Sequence, residues 1–250
     1  MISCQLDLTI GVEIDNDSVY LTVNDAAATI YYTLDGTVPT AYSNKYSGPF
    51  ELKEKATLKL VAQKEGYHRT EHCTYSNWFE QGGITYRIQS TLSPKVVLSE
   101  SMGGNDDSDY AGHIVIGDEV ETDSLVYALG GIEDGAFRNA TSLRSIIVES
   151  HAIDSVGDAL FYGCSTLNVW NIPLPITPSM FDETSYHNLL VYVPEAMAFS
   201  HPLIESGCMT LVVDGKVSSL QLDGKNPFYC PRSFVAEEVV YQRSFAQRTE

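Results

Sequence analysis

Asn105, Asp106, Asp107 and Asp109 fall within five positions of one another. Hard oxygen donors at that density could hold calcium. Counted from Asp107, Gly112 takes the sixth place of a calcium loop, but Ala111 stands fifth and Asp118, not the usual glutamate, stands twelfth. The competing reading is a loop kept polar for solubility. His68 and His72 lie four apart beside Cys73. On a helix that spacing suits zinc, but the flanking residues predict a strand end, where positions four apart are separated by about 13 Å. The five cysteines, Cys4, Cys73, Cys164, Cys208 and Cys230, are odd in number and hold no C-x-x-C pair. They encode neither a zinc ribbon nor a redox motif and read as small buried thiols.

The chain has no G-x-S-x-G elbow, no phosphate loop, no G-x-G-x-x-G and no H-E-x-x-H. Carboxylate pairs are plentiful, but nothing frames two of them as an acid and a base. Among fifteen tyrosines and two tryptophans, Tyr31 and Tyr32 are neighbours in a predicted strand and point to opposite faces. One of them is expected to be exposed, as a platform on which a sugar could stack.

Charge narrows the partners. With 33 acidic and 15 basic residues the net charge is −18, which excludes a cationic face for nucleic acid or anionic lipid. Residues 101–160 hold 12 of the acids and 2 of the bases, so −10 of the total lies there. The longest apolar runs, such as Leu189-Leu190-Val191-Tyr192-Val193, are far short of the about 20 residues a bilayer span needs.

The elements that must position these groups are mostly strands. Ser18 to Val23, Ala28 to Leu34 and Ala56 to Ala62 are β-branched, aromatic and alternating. Asp35-Gly36 closes the second run with turn chemistry, and Pro39, Gly48 and Pro49 punctuate the segment after it. Short strands with frequent turns predict a small antiparallel sandwich. The run Ile30-Tyr31-Tyr32-Thr33-Leu34-Asp35-Gly36-Thr37-Val38-Pro39-Thr40, with Ser43, Tyr46, Pro49 and Leu58 to Ala62, resembles the chitobiase/hexosaminidase C-terminal module, also called the fibronectin-III-associated domain. The likeness covers roughly residues 10–75. Its motif residues read as turn builders, with Asp35 bonding its own turn.

Gly82-Gly83 predicts a hairpin, and Pro94 to Leu98 and Tyr110 to Ile116 return to strand. From residue 130 the chain repeats. Phe137 and Phe161, Leu143 and Leu167, and Val148 and Ile172 are each 24 apart, and Met180-Phe181 with Leu189 to Pro194 forms a degenerate third unit. A fixed period of this size predicts a solenoid whose units stack an apolar ridge. The units resemble the BspA-like leucine-rich repeat over about residues 78–205. Cys164 stands where that family often has cysteine, and Asn139 and Ala140 occupy the same neighbourhood in the first unit. Gly117 in place of an expected proline, and Pro173 to Pro178 within the third unit, depart from that pattern.

The expected architecture is mainly β: an antiparallel β-sandwich of the immunoglobulin or fibronectin kind at 1–76, a short leucine-rich-repeat solenoid at 77–206, and a strand-rich segment at 207–250. The tail, including Phe234 to Ala236 and Val240 to Phe245, resembles the segment that succeeds such repeats in large bacterial surface proteins. The N-terminus shows no signal peptide; Cys4 could mark a lipid-modified cysteine, and the chain reads as a piece of a longer polypeptide. The resemblances imply a non-catalytic extracellular or cell-surface module that binds a protein or host-surface ligand through its repeats. Arg138, Asn139, Arg144 and Asn168 are the candidate ligand contacts, and Asp106, Asp107 and Asp109 the candidate calcium ligands. The alternative is a carbohydrate-binding or spacer module beside a glycoside hydrolase.

Overall fold

A computed structural model describes residues 8–65, 72–103, 108–122, 125–149, 153–167 and 178–181, together with the backbone of several later strands. Cys4, His68, Cys208, Cys230 and the stretch 172–177 lie outside the described residues. The chain is mainly β, with no α-helix among the described residues and therefore none long and apolar enough to cross a membrane.

The first seven strands are β1 (Ile10–Asp15), β2 (Ser18–Val23), β3 (Thr29–Thr33), β4 (Asn44–Lys45), β5 (Phe50–Glu51), β6 (Thr57–Gln63) and β7 (His72–Ser76). They form two antiparallel sheets, β1-β2-β5 and β4-β3-β6-β7, an arrangement consistent with a β-sandwich. The alternation seen in the sequence buries Val19 and Leu21 of β2 and Leu58 and Leu60 of β6. Asn16 and Asp17 connect β1 to β2 with φ of 45° and 62°, the left-handed pair that a two-residue hairpin turn requires. Gly36 has φ of 75°, and Asp35 Oδ1 accepts bonds from the Thr37 amide (3.0 Å) and hydroxyl (2.6 Å), as expected of a turn builder.

The next strands are β8 (Trp78–Gln81), β9 (Ile84–Ser90), β10 (Lys95–Leu98), β11 (Ala111–Ile116), β12 (Glu119–Glu121), β13 (Val126–Ile132), β14 (Ser142–Val148), β15 (Ser155–Val156), β16 (Val169–Asn171), β17 (Leu189–Val193), β18 (Met209–Val213) and β19 (Lys216–Val217). Gly82 and Gly83, with φ of 59° and 77°, make the β8–β9 hairpin. One sheet runs β12-β13-β10-β9-β8 with β15 beside β13; another runs β11-β14-β16-β17-β18-β19. Nearest the C-terminus, Ser233–Ala236 and Val239–Gln242 form a short antiparallel pair.

The 24-residue period is visible in the register. Ser145 pairs with Val169 and Gly131 with Ser155, both in parallel and both 24 apart. The turns repeat too. Gly135 (φ 64°) and Ala159 (φ 53°) are equivalent, as are Asn139 (φ 56°) and Gly163 (φ 76°). An alanine in that conformation costs roughly 1–2 kcal/mol, which the turn-to-turn bonds around it must offset. Phe137 N–H donates to the Leu160 carbonyl (3.2 Å), Asn139 N–H to that of Tyr162 (2.7 Å) and Phe161 N–H to that of Met180 (2.9 Å). Inside these turns the rings of Tyr110, Phe137, Phe161 and Phe181 follow one another at centroid distances of 5.4, 5.6 and 5.4 Å. Cys164 is a buried thiol, donating from Sγ to the Phe137 carbonyl (2.9 Å). Buried apolar residues from Leu8 to Phe181 form one continuous core.

Candidate functional site

Three places on the described surface combine polar groups with shape. The first is a cleft of about 620 Å³ where the β1–β2 turn, β9 and the segment after β13 meet, lined by Asp17, Lys55, Arg87, Glu100, Glu133 and Asp134 among others. Strand β9 is covered on both faces, so Arg87 is only 4% exposed. A charge that deep must be paired. Its Nη1 donates to Asp17 Oδ1 (2.5 Å) and its Nε to Glu133 Oε1. Burial alone would lower the Arg87 pKa, but the two carboxylates outweigh it and hold it above the ordinary value. Lys55 Nζ donates to the Glu100 carbonyl (2.9 Å) and lies 3.5 Å from the Glu100 carboxylate. Arg87 and Lys55 are thus engaged in holding neighbouring segments together, while Lys53, also at the cleft, pairs with Glu51 at 2.7 Å within its own segment. Arg87 is absent from the candidates that motif and spacing suggest; its one signal is an arginine inside the strand run Thr85-Tyr86-Arg87-Ile88.

The second place is the first repeated turn. Arg138 is half-buried, and its guanidinium lies 5.5 Å from the centre of the Tyr162 ring, within reach of a cation–π contact. Its Nε is the one buried side-chain nitrogen or oxygen without a hydrogen bond among the described residues. Asn139 sits in the left-handed position with its Oδ1 over Gly163, where an added Cβ would come within 2.1 Å. Arg144 is exposed on β14, and Asn168 lies outside the described residues. The fold therefore places Arg138 and Asn139 on one turn and Arg144 on the strand that comes next.

At the entry to β11, Tyr110 is buried, donating its hydroxyl to the Ser99 carbonyl (2.6 Å) and accepting from the Thr85 amide (3.1 Å). Burial pushes its pKa up to about 12. Asp109 Oδ2 accepts from the Gly103 amide (2.8 Å), while Asp106 and Asp107 lie outside the described residues. Positions five to ten of the calcium-loop reading, Ala111 to Ile116, are the paired strand β11. Among the described residues no three metal-ligating side chains cluster. His113 Nδ1 lies 2.8 Å from Ser145 Oγ. Burial, and secondarily the Arg144 charge, lower the His113 pKa below its ordinary 6.5. Its contribution to stability is therefore complete above the unfolded-state value and is lost as pH falls through the folded one. We expect Arg144→Ala to raise the His113 pKa, read from its ring protons by NMR titration, with burial still keeping it below the free value.

The third place is a shallow groove of about 420 Å³ beside Tyr42, at the edge of β3 and β4. Tyr31 and Tyr32, expected to include one exposed ring, are both half-buried. Tyr32 stacks on Phe50 at 4.7 Å and 6°. Tyr20 of β2 is 38% exposed, and the most exposed ring among the described residues is Tyr42, at 99%, which lies in a turn where strand alternation says nothing.

The first of these strands and the motif at Asp35-Gly36 have a counterpart among known families. Residues 11–74 match the family model of the chitobiase/beta-hexosaminidase C-terminal domain. No curated protein matches the chain. Among solved structures, a leucine rich cell surface protein from Faecalibacterium prausnitzii is similar at 13% identity and a TM-score of 0.32, over 54% of this chain. The chain spans 30% of that structure's length.

Proposed function

We propose that this chain is a non-catalytic binding module displayed outside the cell. In this reading residues 1–76 are a β-sandwich, 77–206 a leucine-rich-repeat solenoid and 207–250 a strand-rich cap, and a protein or host-surface ligand docks on the repeats. The observation that carries it is the 24-residue register of turns and strands, because stacked units of that kind repeat one surface in register and so build extended binding faces. Arg138, half-buried with the Tyr162 ring 5.5 Å from its guanidinium, is the anchor such a face would offer. Asn139, Arg144 and Asn168 are its neighbours in this reading. Calcium at Asp106, Asp107 and Asp109 would be an accessory to it.

The test is biolayer interferometry of the full chain against immobilised extracellular-matrix proteins. We expect saturable binding to at least one of them, weakened tenfold or more by Arg138→Ala. Binding to none, or binding indifferent to Arg138, would sink the reading. A second reading, a carbohydrate-binding or spacer appendage, draws support from the family matched over residues 11–74.

A further inference from the structure

Eight large apolar side chains are exposed among the described residues, and three of them, Leu34, Val38 and Tyr42, fall within nine consecutive positions. A ring that is 99% exposed contributes nothing to the core, so removing it should leave folding intact. The turn that carries it is nonetheless well braced. The Ser43 amide donates to the Thr40 carbonyl (3.0 Å), the Thr40 amide to Ser43 Oγ (2.9 Å) and the Tyr42 amide to Thr40 Oγ1 (3.2 Å). Its backbone is ordered before any ligand arrives, which lowers the entropy cost of binding.

The groove beside the ring is lined by Tyr32, Leu34, Asp35, Tyr42, Ser43 and Asn44. Tyr32 is fixed by its stack on Phe50. Asp35 is held below the usual carboxylate range first by the Thr37 hydroxyl and then by the Thr37 amide, and both bonds fall on Oδ1. An ionised carboxylate, a hydroxyl-bearing serine and a carboxamide-bearing asparagine therefore line the groove together with an aromatic ring. A pyranose presents the complement: a flat face of C–H groups with hydroxyls around its edge, matched by a rigid ring that is apolar in body. The sign of the charge narrows the class. With Asp35 ionised at the groove, uronic and other acidic sugars would meet a like charge there.

We propose that this groove binds a neutral pyranose of a glycan, with Tyr42 as the stacking platform and Asp35 as a hydroxyl acceptor. The inference rests on the carbohydrate-binding reading and names its site; it is independent of the repeat face.

The test is calorimetric titration of the full chain with cellohexaose, with chitohexaose and with hexagalacturonate. We expect saturable heat from at least one of the two neutral sugars and none from the acidic one. Tyr42→Ala should weaken the binding tenfold or more with an unchanged thermal melt. Tyr42→Phe should stay within twofold, since the face is kept, and Leu92→Ala, an exposed apolar residue in another turn, should bind as the parent does. Binding of hexagalacturonate as tight as the neutral sugars overturns the proposal. Sugar binding that survives Tyr42→Ala sinks the groove while leaving the carbohydrate-binding reading standing; heat from no sugar sinks both.

Discussion

Phe161→Ala is expected to destabilise the protein by about 3–5 kcal/mol. Phe161 is fully buried and lies between Phe137, stacked at 5.6 Å and 7°, and Phe181, at 5.4 Å and 27°. Truncation removes the transfer energy of the ring and leaves a hole. How much is lost depends on whether the walls can close in. Here they are held apart by the backbone: Phe137 N–H is bonded to Leu160, and Phe161 N–H to Met180. The rings above and below also lose their aromatic contacts, each worth about 0.5–1.5 kcal/mol beyond area. Phe181→Ala should cost less, because that ring ends the described column and is 5% exposed. Urea unfolding followed by circular dichroism measures both. A loss below about 1.5 kcal/mol for Phe161→Ala, less than the low end expected for a buried aromatic, would mean that the successive turns do not share one packed column.

Arg87→Met should cost about 2–4 kcal/mol, because it leaves two partly buried carboxylates without their cation. The arginine side chain is 5% exposed, against 13% for Asp17 and 26% for Glu133. Glu133 can regain water more readily, so most of the loss should come from Asp17. The effect reaches beyond one residue. Asp17 lies in the β1–β2 turn, and its amide donates to the Gln89 carbonyl (3.0 Å) while its carbonyl accepts from the Leu52 amide (2.7 Å). Losing the arginine therefore loosens the seam between the first sheets and β9. Adding Asp17→Asn and Glu133→Gln to Arg87→Met should restore part of the stability, since the stranded charges are gone. If the triple variant is no more stable than Arg87→Met in the same urea titration, the trio is not an electrostatic clasp.

Spacing anticipated the Phe137 and Phe161 pair, and residue type anticipated the Gly82-Gly83 hairpin and the Asp35 turn. Each obeys a rule that acts over a few residues or repeats at a constant offset. Period two assigns a strand face, a left-handed turn asks for glycine or asparagine, and equivalent positions in stacked units meet the same neighbours. Even Ala159, an unfavourable residue for its conformation, is understandable once it is aligned with Gly135 24 positions earlier.

Other features had no such rule behind them. Arg87 joins Asp17 across 70 residues and Glu133 across 46, and His113 meets Ser145 across 32. The Asp17 pair joins two sheets, whereas His113 is the register partner of Ser145 within one sheet, at an interval of 32 rather than 24. The exposure of Tyr42 rather than Tyr31 or Tyr32 has the same origin. Alternation tells which face of a strand a ring takes, but only the packing of Phe50 onto Tyr32 covers that face. Residue order thus dictated the strands, the turns and the repeat. The charged clasp and the aromatic groove came from the way those pieces stack, because burial and pairing depend on neighbours that local sequence does not name.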